Sequence, residues 1–416
     1  MDSRRSIGKL RILGAMIVAL GLFRAGAGAE PVTSASGSAD GTLPGGAMDG
    51  DRFSVEAGHL WRGDAGASHW WWQVDFGSPR AVGTVLQVLG GHEFVLNSGP
   101  AASVWQASAD GVTWNPLPET AVSRETHLFR IHRLSTAIRT RFLRWVVDDV
   151  VGSAPTLREV EVYPETGSPV PFPDWVLAVN VTEDPSLPGH GQEFLPLARS
   201  VRPDLRAQQI WIPDLSPEWI AVEPRPMAAF LSGSFRDWCE VNRDHWKGVE
   251  RVLRAGRLPM WASCGGAQGL AILAENGTDQ PWDCPHCRKA DAPRLPIYIH
   301  IGHRPGAAIL TCGHYDDCVF ERGPHRIRPR VADPVFEGLP PEFSVMESHC
   351  GQIGWAPNGW DLIAEGGPGT KTRIQCLRLR GHPVYAAQFH IEMDGTPEVS
   401  RTLMGNFLRV AKQWTP

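Results

Sequence analysis

The sequence predicts a multidomain protein, an all-β sandwich followed by an α/β domain whose mostly parallel sheet carries helices on both faces. Three observations predict this. Between about residues 47 and 164, short runs alternating apolar with polar residues recur, separated by turn signals such as Asp110-Gly111 and Ser78-Pro79. Residues 167–173, Gly-Ser-Pro-Val-Pro-Phe-Pro, then form a stiff connector. From Asp174 onward, apolar strand-like runs alternate with helical periodicity. A chain of 416 residues has room for two or three such units.

Residues 1–29 read as a targeting segment rather than part of the fold. Residues 1–11 are basic, 12–23 are apolar but short for a membrane span, and 25–29 offer small-residue cleavage sites. Ser3-Arg4-Arg5-Ser6-Ile7-Gly8-Lys9 resembles a twin-arginine export signal. The alternative is an ordinary secretory signal whose basic part happens to contain two arginines. Either predicts a periplasmic or extracellular protein, and an uncleaved signal would anchor it in the membrane. Residues 30–46, rich in Ser, Ala, Gly and Thr, read as a linker.

The sandwich is expected over 47–165, with strands at 71–76, 82–89, 103–108, 141–148 and 157–163, and a second linker at 166–173. Side chains alternate along a strand, so at least one of Trp70, Trp71 and Trp72 packs inward. Trp61 or Trp70 is either a sugar-stacking platform or part of the core. The α/β domain is expected over 174–416. Its strands are expected at 175–181, 208–212, 227–231, 258–261, 343–347 and 360–364, with a hairpin of 373–379 and 384–389. Val241, Trp246, Val249, Val252 and Leu253 share one side of a helix that Gly256 stops. A last helix covers 397–413, with Thr396 as N-cap and Pro397 in its first position.

The chemistry centres on Cys264. An apolar strand leads into Ser263-Cys264-Gly265-Gly266-Ala267, and helical character resumes at Leu270. A cysteine at a strand-to-helix corner lies where backbone N–H groups and the helix dipole favour a thiolate. Small neighbours permit the turn and the approach of substrate. Such a nucleophile needs a base, and the base an orienter. His390 and Glu392 follow the last predicted strand two residues apart, so in an extended segment they point the same way.

Two resemblances then become visible. Ala47-Met48-Asp49-Gly50-Asp51, residues 71–77 (Trp-Trp-Gln-Val-Asp-Phe-Gly), residues 104–114, residues 141–145 and residues 157–163 together resemble the discoidin (coagulation-factor type C) family of galactose-binding-like domains. That resemblance implies a jelly-roll sandwich presenting loops to a glycan or cell-surface ligand. It also implies a structural calcium, to which Asp49 and Asp51 would contribute. The second region, about 174–414, resembles the class I glutamine amidotransferases. That family carries a Gly-x-Cys-x-Gly-x-Gln elbow and a downstream Gln-Phe-His-Pro-Glu motif. Here they read Ala262-Ser263-Cys264-Gly265-Gly266-Ala267-Gln268 and Gln388-Phe389-His390-Ile391-Glu392.

This second resemblance implies a flavodoxin-like α/β fold and a Cys264–His390–Glu392 triad. Gln268 would help hold the substrate, and Ser348-His349 would line its pocket. An oxyanion hole would be built from Gly233, in the loop Leu231-Ser232-Gly233-Ser234, and Gly265. Ala262 and Ile391 depart from the family's glycine and proline, and the 231–234 loop lacks a Gly-Gly-Pro ending. The chain shows no synthetase domain to receive ammonia. The expectation is therefore an exported hydrolase acting on a small-molecule or peptide amide of glutamine or γ-glutamyl type, needing no cofactor for catalysis. The alternative is a sugar-linked binding protein with a residual triad.

An insertion at about 277–330 carries Cys284, Cys287, Cys312 and Cys318. Two cysteine pairs suggest either a structural zinc held by four thiolates or one or two disulfides in an exported protein. The formal net charge of -5 leaves no basic footprint for nucleic acid.

Overall fold

The computed structural model describes residues 30–182, 184, 190–233, 238–282, 297–301 and 319–415. The sandwich begins earlier than expected. Val32–Ala35, inside the expected linker, is an antiparallel strand paired with residues 72–75. Its β-branched Val32 and Thr33 suit an edge position. The expected strands 71–76 and 82–89 are one bent strand, Trp70–Leu89, whose pairing shifts register between Asp75 and Arg80. Residues 141–148 likewise belong to a longer strand, Phe129–Val151.

Trp61, Trp72, Trp105 and Trp145 fill the sandwich core at 0% exposure. Trp105 stacks on Trp145 at 6.3 Å between ring centres, and its indole N–H donates to Gln87 Oε1 at 2.9 Å. Trp61 and Trp70 are not a sugar platform. Both are buried, and their N–H groups donate to the carbonyls of Gly37 and Asp64. The alternation that buries Trp70 and Trp72 turns Trp71 outward, where Arg144 lies 4.6 Å from its ring centre.

The sandwich packs directly on the α/β domain. Leu128 and Phe129 join the same apolar cluster as Trp175 and Trp219. His127 stacks on Trp219 at 4.1 Å, and the Leu128 N–H donates to Gln208 Oε1 at 3.0 Å.

Nine described strands form the α/β sheet: β1 (Trp175–Asn180), β2 (Arg206–Trp211), β3 (Ala228–Leu231), β4 (Met260–Ser263), β5 (Glu321–Pro329), β6 (Phe343–His349), β7 (Trp360–Gly366), β8 (Ile374–Leu379) and β9 (Val384–Ala387). Their order is β6-β5-β7-β8-β9-β4-β3-β1-β2. Strands β9, β4, β3, β1 and β2 are mutually parallel, while the pairings from β9 outward to β6 are antiparallel. The sheet is thus mixed, with the parallel half carrying the elbow.

Helices cover both faces: α1 (Phe194–Val201) and α4 (Pro397–Gln413) on one, α2 (Lys247–Ala255) and α3 (Gly265–Asn276) on the other. Strand β1 is buried throughout, with Val176 and Ala178 facing α1 and α4, and Leu177 and Val179 facing α2 and α3. Gly256 ends α2 in the left-handed region, at φ 59°. Thr396 precedes α4 but makes no side-chain cap. Strand β5 lies inside the segment expected as an insertion. Its run Glu-Arg-Gly-Pro-His-Arg-Ile-Arg-Pro has few apolar residues, yet it pairs with β6 and β7. No described helix is long and apolar enough to cross a membrane.

Candidate active site

Cys264 joins β4 to α3 at φ 49° and ψ -113°, alone among described non-glycine residues in having a positive φ. A non-glycine residue holds such a conformation only where its surroundings enforce it. Here they do. The Cys264 N–H donates to the Ala387 carbonyl at 2.8 Å, extending the β4–β9 pairing into the corner. At Gly266 a Cβ would lie 2.6 Å from the Leu231 carbonyl oxygen, so only glycine lets α3 approach β3 this closely. Helix α3 starts at Gly265, five residues before the expected resumption at Leu270, because these glycines are helical. Its first N–H groups have no partner within the helix and frame the corner.

His390 and Glu392 follow β9. The His390 N–H donates to the Met346 carbonyl at 2.8 Å, which pins the segment against β6. His390 Nδ1 lies 2.7 Å from Glu392 Oε1, and Glu392 is almost fully buried. His390 Nε2 is buried. Burial pushes the Cys264 thiol up, but the charge of His390, aided by His349, outweighs it and holds the thiol below its ordinary range. Burial alone would lower His390. Cys264 and Glu392 outweigh it and raise the imidazole well above its ordinary value. Thiolate and imidazolium therefore favour each other.

Gly233 lies against the corner from β3. A Cβ there would sit 3.3 Å from the Gly265 nitrogen and 3.9 Å from Cys264 Cβ. Gly233 thus brings this loop against the Gly265 amide with no side chain between them. Ser348 is exposed, and its carbonyl oxygen is 3.9 Å from Cys264 Sγ.

Gln268 is buried and hydrogen-bonded within the protein. Its Nε2 donates to the Gly351 carbonyl at 3.0 Å and to Gln388 Oε1 at 3.3 Å, while its Oε1 accepts from Trp238 Nε1 at 3.1 Å. These bonds tie the elbow helix to the Gly351 loop and to Gln388. His349 is also buried, bonded at both ring nitrogens to Gly351 and Glu347. Sequence reasoning missed Glu347 and Glu321, which surround His349. The signal available was the spacing Glu347-Ser348-His349, the same two-residue step as His390 and Glu392.

Cys284, Cys287, Cys312 and Cys318 lie outside the described residues. Asp49 and Asp51 do not fit a calcium site as arranged. Asp49 Oδ2 lies 2.7 Å from His59 Nδ1, and Asp51 Oδ1 accepts the Phe53 and Ser54 amides at 3.1 and 3.0 Å. Among the described residues no group of three or more His, Cys, Asp or Glu is arranged to hold an ion.

Comparison with known proteins finds two kinds of likeness. Residues 31–160 match the F5/8 type C domain family. GMP synthase [glutamine-hydrolyzing] of Thermosipho africanus is 30% identical over 131 residues, covering 29% of this chain and 25% of that protein. A GMP synthase [glutamine-hydrolyzing] subunit of Archaeoglobus fulgidus is 25% identical over 179 residues, 40% of this chain and 87% of that subunit. The crystal structure of a putative GMP synthase subunit from Thermoplasma acidophilum aligns with a TM-score of 0.42 at 18% identity, over 58% of this chain and 96% of that one. The chain spans about a quarter of the first of these synthases. It joins an F5/8 type C domain to a glutamine amidotransferase-like domain.

Proposed function

We propose that this protein is an exported cysteine-dependent amide hydrolase, acting on the side-chain amide of glutamine or a γ-glutamyl compound, with a sandwich that binds a glycan or other surface ligand. One observation carries the catalytic reading: a strained Cys264 at the head of α3 faces a histidine whose far nitrogen is bonded to Glu392. The Cys264 thiolate attacks the amide carbonyl, and the carbonyl oxygen becomes an oxyanion beside the Gly265 N–H. The imidazolium of His390 gives its Nε2 proton to the leaving nitrogen, the C–N bond breaks, and ammonia or an amine departs. A thioester remains on Cys264. His390, now neutral, takes a proton from water, whose oxygen attacks the thioester and releases the carboxylic acid and the thiolate. Glu392 keeps Nδ1 protonated throughout.

A diazo-ketone glutamine analogue tests this. Intact mass should show one adduct on the wild type, mapped to Cys264, and none on Cys264→Ala. A wild type that stays unlabelled and releases no ammonia from glutamine or γ-glutamyl amides would leave a sugar-linked binding protein as the better reading. Export is supported by the twin-arginine-like start. Glycan binding is supported by the F5/8 type C match, and a glycan array probed with full-length Cys264→Ala protein tests it.

A further inference from the structure

A second buried histidine–carboxylate assembly stands behind the elbow. His349 closes β6. Its Nδ1 lies 2.8 Å from the Gly351 carbonyl oxygen and its Nε2 2.7 Å from Glu347 Oε2. A carbonyl can only accept, and so can an ionised carboxylate, so with Glu347 ionised both ring nitrogens carry hydrogen and the ring is an imidazolium. Its side chain is 2% exposed, with Glu347 at 0% and Glu321 at 1%. A cation so removed from water needs charge beside it. Glu347 supplies it from the same strand. Glu321 supplies more from β5, its Oε2 3.9 Å from His349 Nε2 at the position paired with His349 across the sheet. Glu321 is itself fixed by the Lys371 and Thr372 amides, with His325 Nδ1 at 3.7 Å.

This cation is tied to the nucleophile in two ways. The Gly351 carbonyl that accepts from His349 also accepts from Gln268 on the elbow helix, so one oxygen joins the imidazolium to α3. The adjacent Ser348 carbonyl lies 3.9 Å from Cys264 Sγ, so β6 runs past the sulfur. The charges facing His349 are then Glu347 on its own strand, Glu321 on β5 and Cys264 on the elbow. Only the charge on Cys264 changes during the reaction.

We propose that His349 is a buried imidazolium held by Glu347, Glu321 and the Gly351 carbonyl, and that it acts as a positioning residue keeping a second positive charge behind the Cys264 thiolate. It does not touch substrate and takes no proton in the cycle. This rests on Cys264 being the nucleophile of the proposed hydrolase. The directions agree with the geometry. Burial would lower His349, but the hydrogen bond and charge of Glu347 raise it, and its own charge helps hold the Cys264 thiol down, against the opposing charge of Glu347.

The test uses the full-length protein. Histidine-selective ¹⁵N NMR, with His349→Gln identifying the signals, should show both ring nitrogens of His349 protonated and unchanged from about pH 6 to about pH 9. In Glu347→Gln the same signals should titrate within that window. Alkylation of Cys264 by iodoacetamide, read by mass spectrometry, should move its pH midpoint upward by about one unit or more in His349→Gln. Glu347→Asp, which keeps the carboxylate, should retain the wild-type profile. A neutral His349 in the wild type near pH 7 overturns the proposal. So does a folded His349→Gln whose alkylation profile superimposes on the wild type. If His349→Gln does not fold, the Glu347→Gln and wild-type spectra decide. Iodoacetamide needs no glutamine recognition, so failure of diazo-ketone labelling with a normal alkylation shift would overturn the hydrolase reading, and with it the catalytic role of His349, while leaving the buried imidazolium and its effect on the Cys264 thiol.

Discussion

His390 Nδ1 and Glu392 Oε1 lie 2.7 Å apart across the single residue Ile391, and His390 and Cys264 are close enough for each to shift the other's titration. The carboxylate thus holds a proton on Nδ1 and leaves Nε2 as the nitrogen that exchanges one. Because the thiol is depressed and the imidazole raised, the thiolate–imidazolium pair is the populated state between the two titrations. Hydrolysis should rise with pH below the ordinary thiol range and fall only well above the ordinary histidine value. In Glu392→Gln the loss of charge lowers His390, so the alkaline limb should move to lower pH. The profile of kcat/KM against pH checks this.

Gly233→Ala places a methyl 3.3 Å from the Gly265 nitrogen, on the side where an oxyanion would form. Loss of one oxyanion donor typically lowers kcat about 10²-fold or more. A crowded donor should therefore lower kcat at least about tenfold, with KM little changed. Steady-state kinetics on glutamine or a γ-glutamyl amide, beside an unchanged unfolding midpoint, would show it.

Gln268→Leu removes an amide that bonds Trp238, Gly351 and Gln388 inside the fold. Leaving buried partners unsatisfied costs roughly 1–3 kcal/mol per group. The variant should unfold earlier in heat and denaturant, and its loss of activity should track loss of structure rather than a higher KM.

The sandwich carries a pH signature of its own. Burial pushes the Glu159 carboxyl up to about 8, against the Gly50 N–H that it accepts at 3.0 Å, with Glu161 and Asp49 adding repulsion. The unfolded chain loses this proton near the ordinary value of 4.5, the folded chain near 8. The folded state therefore binds the extra proton between these values, and stability falls as pH rises through that window, by at most about 1.4 kcal/mol per unit. Glu159→Gln should flatten the slope. Thermal unfolding at about pH 5, 6.5 and 8 measures it.

Much of the architecture was legible because periodicity reports burial directly. The runs at 175–181, 227–231, 343–347 and 384–389 fall on β1, β3, β6 and β9 to within two residues at either end, and helix 397–413 has the expected bounds. Strand β5 was not legible, since a strand with Pro324 and four arginines or histidines has no apolar rhythm of its own. Only its partners β6 and β7 make it a strand.

Residue type and local spacing were enough to mark which residues can do the chemistry. A cysteine among glycines and a histidine two residues from a glutamate are local facts, set by composition at the corner and by the alternation of an extended chain. What surrounds them came from the tertiary structure. It gave Cys264 its left-handed backbone by hanging its N–H on β9, and tied Gln268 to the Gly351 carbonyl. It also brought Glu321 and Glu347 together around His349. Those contacts join residues distant along the chain, and their geometry is fixed by sheet register and packing, which no local pattern encodes.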